Sequence, residues 1–96
     1  MLVHNAVERV CKQLGDVSTA QIWSKERTFK VATARQLVYW YLWQVCELGY
    51  NEIGRAMGKN HATIMWGVEQ IQIMLERNRT KEDRRIVAAA QELMRV

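Results

Sequence analysis

Tyr50-Asn-Glu-Ile-Gly-Arg-Ala-Met57, Gly58-Lys-Asn60 and His61-Ala-Thr-Ile-Met-Trp66 decide the fold. The first piece has the length of a short helix and the second that of a tight turn. The third opens a helix that runs to Glu76, so residues 50–76 read as a unit. Two helices joined by a three- to four-residue turn containing Gly have the proportions of a helix-turn-helix, a geometry that plain helical bundles also contain. Gly58 supplies the left-handed conformation that ends the first helix, and the Asn60 side-chain oxygen caps the second. With Ile64, Val68, Ile71 and Leu75 turned inward, Ala62 and Trp66 point outward, and Thr63 and Gln70 lie to one side. That end is uncharged apart from the flanking Lys59 and His61, so it can approach base edges in a major groove.

Outward from this unit every segment reads as helix. Leu2, Val3, Ala6, Val7, Val10 and Leu14 have helical spacing, and Gly15 is a natural stop. Ser18-Thr-Ala-Gln21 is a capping-box pattern for a short helix over 19–23. Residues 24–32 form a basic connection. A long helix follows from about Thr33 to Leu48, with Leu37, Val38, Tyr41, Val45 and Leu48 on one face and Trp40 and Trp43 off it. A helix apolar on more than one side is expected at the centre, so the Trp/Tyr cluster reads as core rather than as a base-stacking platform. Thr80-Lys-Glu-Asp83 caps a last helix with Ile86, Val87, Ala90, Leu93 and Met94 inside. The fold class is all-α, five to six helices around a central helix-turn-helix.

The 96 residues allow one domain, 1–96, with 49% hydrophobic and 25% charged residues. Four Trp, three Tyr and many aliphatics are incompatible with a disordered tail, and the lack of Pro favours helices. The longest apolar run, Leu37–Trp43, is far short of the ~20 residues of a membrane span. Met1-Leu-Val-His-Asn5 lacks the basic start and apolar stretch of a signal peptide, so a cytoplasmic, nucleoid location is expected. Cys11 and Cys46 have no metal-ligand spacing and read as buried thiols rather than a disulfide or zinc site. Two His and two Cys without a nucleophile–base grouping give no catalytic residue, no metal and no cofactor.

Fourteen Lys and Arg against ten Asp and Glu give a net charge of +4. Lys25, Arg27, Lys30 and Arg35 are accompanied by one acid, Glu26, and Arg55, Lys59 and His61 by none up to Thr63. Local positive patches attract a polyanion, most commonly a phosphate backbone. The plainer alternatives are a solvated loop at Lys25 and Arg27 and a partnerless helix start at His61. For Trp66, packing on a neighbouring loop and facing DNA stay equally open. Arg77, Arg79, Arg84 and Arg85 sit among Glu76, Glu82 and Asp83 and read as surface ion pairs.

Asn51-Glu-Ile-Gly-Arg-Ala-Met-Gly-Lys-Asn-His-Ala-Thr-Ile-Met65, together with Ser24-Lys-Glu-Arg27 and Ala34-Arg-Gln36, resembles the C-terminal DNA-binding domain of the bacterial replication initiator DnaA. The resemblance runs from about residue 5 to 95. It implies a Trp-repressor-like helical domain that reads a short asymmetric box of double-stranded DNA as a monomer, with replication proteins as further candidate partners. By position, Arg27 matches the arginine that enters the minor groove and Lys25 its basic neighbour. Arg35 and Gln36 match backbone-contacting residues, and Lys59, Asn60, His61, Ala62 and Thr63 the major-groove signature. Arg55 and Trp66 complete the expected DNA-binding set. Asn60 stands for the signature acid, Ala62 for its first threonine, Glu26 for a loop arginine, and one residue beside Gly58 is missing. The neutral Asn60 amide suits adenine, and Ala62 a thymine methyl. The chain has no Gly-x₄-Gly-Lys-Ser/Thr loop, so no ATPase activity is expected, and it reads as a free-standing relative or an excised domain. The alternative is a transcriptional regulator or protein-interaction module of the same fold that docks on a replication or transcription protein.

Overall fold

Leu37, Val38, Tyr39, Trp40, Tyr41 and Leu42 are consecutive and all buried, which leaves one helix with apolar groups on every side. Such a helix is stable only when neighbours surround it. In the computed structural model, which describes residues 2–95, this is α3 (Phe29–Gln44). It is covered by α1 (Leu2–Leu14), α2 (Thr19–Trp23), α4 (Tyr50–Met57), α5 (His61–Arg77) and α6 (Lys81–Leu93). No strand occurs among the described residues. The most extensive packing is α3 on α5, and α6 bridges α1 and α5. Val10, Val31, Leu37, Leu42, Ile53, Ile64, Ile71 and Ile86 are all fully buried in one core. Each contributes roughly 1.5–3 kcal/mol through burial.

Local signals set most of the ends. Gly15 takes φ 80° after α1. Ser18 accepts from the Gln21 N–H while its own N–H donates to the Gln21 side chain, the reciprocal box expected at α2. Thr80 and Asp83 make the same exchange at α6.

The central helix lies four residues earlier than its sequence reading at both ends. Val31 is fully buried and Ala34 sits in the core, so the helix is already wound through the stretch read as a connection. The basic loop is correspondingly shorter, spanning Ser24 to Thr28. At the far end the reversal comes at Glu47, which takes the left-handed conformation (φ 60°) in place of Gly49. Val45 and Leu48 therefore pack on the core from beyond the helix.

Two other inward assignments change. In α5 Met74 is buried where Leu75 was expected, and Leu75 is half-buried. In α6 Ala89 is buried, Val87 is half-buried and Met94 is 48% exposed. Helix crossing angle decides which edge of an apolar stripe faces in, and periodicity alone does not fix it.

The arginines near α6 divide by role. Arg77 forks onto buried Asp83 (Nε 2.7 Å, Nη2 2.6 Å), and Arg85 pairs with Glu82 and Asp16. Arg84 donates to the Arg79 carbonyl, and Arg79 pairs with no acid among the described residues. Cys11 and Cys46 are free thiols, both pushed up by burial. Among the described residues no group of His, Cys, Asp and Glu could hold a metal, and no helix is long and apolar enough to cross a membrane.

Candidate nucleic-acid interface

The helix-turn-helix is α4, the turn Gly58–Asn60 and α5. Tyr50 opens α4 and stacks on Trp43 of α3, ring centroids 5.9 Å apart, which sets α4 against the central helix. The Gly49 N–H donates to the Glu52 carboxylate and caps the same end. At the other end Gly58 is left-handed (φ 70°, ψ 35°), and its N–H and that of Lys59 both donate to the Gly54 carbonyl. The turn is so tight that a β-carbon at Gly54 would lie 2.6 Å from the Lys59 carbonyl oxygen. This contact explains the glycine of Glu-Ile-Gly.

Asn60 caps α5 with extended backbone, its Oδ1 accepting from the Ala62 N–H at 2.8 Å. The bond engages one of the two lone pairs on the oxygen and leaves the amide N–H groups as donors. His61, Ala62 and Thr63 are exposed on the first turn, and Trp66 on the next is 57% exposed.

α3 and α5 cross at Gly67, where a β-carbon would lie 2.8 Å from the Tyr39 ring and 3.2 Å from Gln36 Cγ. This close crossing sets the N-terminal half of α3 beside the start of α5. Between them lies an open hollow of about 210 Å³, lined by Ala32, Arg35, Gln36 and Tyr39 of α3 with Lys59, Thr63 and Trp66. Four residues of the expected DNA-binding set thus meet Arg35 in one place.

Arg35 also organises the basic loop. Its Nε donates to the Ile22 carbonyl at 2.8 Å, Nη1 to that of Glu26 at 2.6 Å, and Nη2 to those of Gln21 and Ser24 at 3.0 and 2.6 Å. These carbonyls at the end of α2 and in the loop occupy most of the guanidinium fork. These bonds give Arg35 a positioning role within the fold, beside the phosphate contact that the resemblance implies. Its partners lie nine to fourteen residues earlier in the chain, so no local signal announces them.

Glu26 stabilises the same loop, its carboxylate accepting from the Thr28 hydroxyl at 2.9 Å and the Gln21 amide at 3.4 Å. The acid in the basic loop is thus half-buried and turned onto the side chains of Thr28 and Gln21. Lys25 and Arg27 remain exposed, as do Arg55 on α4 and Lys59, with no ion pair among the described residues. Lys30 approaches Asp16 at 4.0 Å. Sequence reasoning missed two more members of this surface. Tyr39 lines the hollow, and Phe29, at the start of α3, is 70% exposed. An aromatic inside the run Lys25-Glu-Arg-Thr-Phe-Lys30 was the available signal for the second.

Residues 3–71, from α1 into α5, match the family described as the bacterial dnaA protein helix-turn-helix. A comparison with curated proteins returned no match. The matched span contains the basic loop, the Arg35 anchor, the tight turn at Gly54 and the opening of α5. The chain belongs to the bacterial DnaA helix-turn-helix family, whose domain binds DNA in replication initiation.

Proposed function

We propose that this protein binds duplex DNA with sequence preference, as a monomer, through two grooves at once. Asn60, His61, Ala62 and Thr63 enter the major groove, with Trp66 at their flank. Arg27, assisted by Lys25, enters the adjacent minor groove. Gln36, Arg55 and Lys59 contact the phosphate backbone between them. One observation carries the reading: Arg35 lines the hollow beside Lys59, Thr63 and Trp66 while its guanidinium holds the loop that bears Lys25 and Arg27. A rigid link between two reading elements is what simultaneous engagement of two grooves requires.

The reading assigns the chain no nucleotide chemistry, and ATP should leave DNA affinity unchanged. Lys25, Arg27, Arg55 and Lys59 supply the phosphate and groove charge, so log K against log salt should fall with a slope of about −3 to −4. Fluorescence anisotropy on a labelled duplex measures it. An affinity that stays flat between low and physiological salt contradicts the proposal. It would favour a second reading, docking on a replication protein, for which Met65, Trp66 and Ile73, exposed around Glu69 on α5, are the supporting observation.

A further inference from the structure

Phe29 is the most exposed of the large apolar side chains, at 70%, although it opens the most buried helix of the protein. A solvated phenylalanine costs free energy that a polar residue would avoid, so its neighbours decide its meaning. It follows Arg27 by two residues and Lys25 by four, both exposed and without ion pairs among the described residues. Residues three, four and seven apart share a helix face, so Phe29 continues the row formed by Ala32 and Gln36. That row lines the hollow beside Lys59, Thr63 and Trp66. Phe29 therefore extends the proposed DNA surface along α3 toward the loop, beyond the reach of the core.

We propose that Phe29 is an apolar wedge that inserts between two base pairs next to the minor-groove arginine, unstacking one step and bending the duplex. Minor-groove proteins insert such side chains beside basic residues and kink DNA by roughly 20–90° toward the major groove. The cations flanking Phe29 favour this occupant over an apolar protein surface, which would have to strip Lys25 and Arg27 of water without neutralising them. A pyrimidine–purine step within the A·T segment, the easiest to unstack, is the expected point of entry. The inference rests on the two-groove reading and adds a contact that reads deformability rather than base edges.

The test uses the full chain and a duplex recovered by selection, with 2-aminopurine placed in turn at each adenine of the A·T segment. The parent protein should raise fluorescence at one step and bend the duplex by roughly 20° or more in end-to-end energy transfer. Phe29→Ala should keep its melting curve and still bind, but lose both signals. Phe29→Leu, which leaves an apolar wedge, should keep them in part. A parent that binds duplex while every 2-aminopurine stays quenched overturns the wedge alone, as does a Phe29→Ala variant that bends DNA like the parent. A parent that retains no duplex overturns the two-groove reading and the wedge together. Unchanged DNA behaviour in Phe29→Ala, with loss of binding to a protein partner, would overturn the wedge and assign the residue to protein docking.

Discussion

Arg35 lines the proposed DNA surface while the fold itself holds its guanidinium. Its position in the chain matches a backbone-contacting residue, yet four carbonyls of α2 and the loop take its donors. Charge-assisted bonds of this kind contribute about 1.5–3 kcal/mol, and four from one half-exposed guanidinium that water can re-solvate do not add. Arg35→Ala should lower stability by about 2 kcal/mol overall, measured by urea unfolding. It should weaken DNA binding without flattening the salt slope, whereas Lys59→Ala should flatten it by about 1. A flattened slope in Arg35→Ala with unchanged stability would return Arg35 to the phosphate-binding set. Asn60 presents the complementary case, because its oxygen accepts from the Ala62 N–H while its amide N–H groups remain as donors. Asn60→Asp keeps the cap and removes the donors. It should shift preference at one position away from acceptor-rich bases and toward cytosine, whose amino group a carboxylate accepts. Selected-site profiles that coincide for the parent and the Asn60→Asp variant would leave Asn60 a cap and nothing more.

Among the elements, those with their own chemical punctuation were legible in the sequence. α1, α2, α4 and α6 keep their expected ends because Gly15, the Ser18 and Thr80 boxes and left-handed Gly58 are local devices. The ends of α3 were not, since Thr28 makes no side-chain cap and the reversal uses Glu47, a residue without turn preference. Tertiary burial of Val31 overrides the charge pattern that suggested a longer loop. The α5–α6 corner rests on Asp83, a buried carboxylate that accepts from Arg77 and from the Arg79 and Thr80 N–H groups. The Arg77 guanidinium holds the Asp83 carboxyl well below the usual carboxylate range, with burial acting in the opposite direction and the backbone donors assisting. A lowered folded-state value means that the stabilisation is present above the unfolded value of about 3.9 and is lost as pH falls through the folded one. Thermal unfolding should therefore turn less stable below about pH 4. Asp83→Asn should melt lower at neutral pH and lose part of that acid dependence. An acid limb identical in the variant would remove Asp83 from its origin.

The whole molecule joins the helix-turn-helix and the basic loop through α3, and this joint was only partly visible in the sequence. The helix-turn-helix and the basic loop could each be found from spacing and charge. Their adjacency depends on the close α3–α5 crossing at Gly67 and on Arg35, both of which are tertiary facts. Phe29 carried one local signal, its place among Lys25, Arg27 and Lys30, but its exposure is a tertiary fact. Whether the proposed face engages two grooves at once is read out by selection from a random duplex pool with parent and Arg27→Ala compared. A narrow A·T-rich minor groove concentrates negative potential and attracts an inserted arginine. The parent should enrich an asymmetric box with a short A·T-rich segment about half a turn from the positions read by Asn60 to Thr63. Arg27→Ala should keep the latter positions, lose preference in the A·T segment alone and bind about 1–3 kcal/mol more weakly. An unenriched pool, or a variant whose preference fades equally at every position, would mean that the loop and α5 do not engage separate grooves.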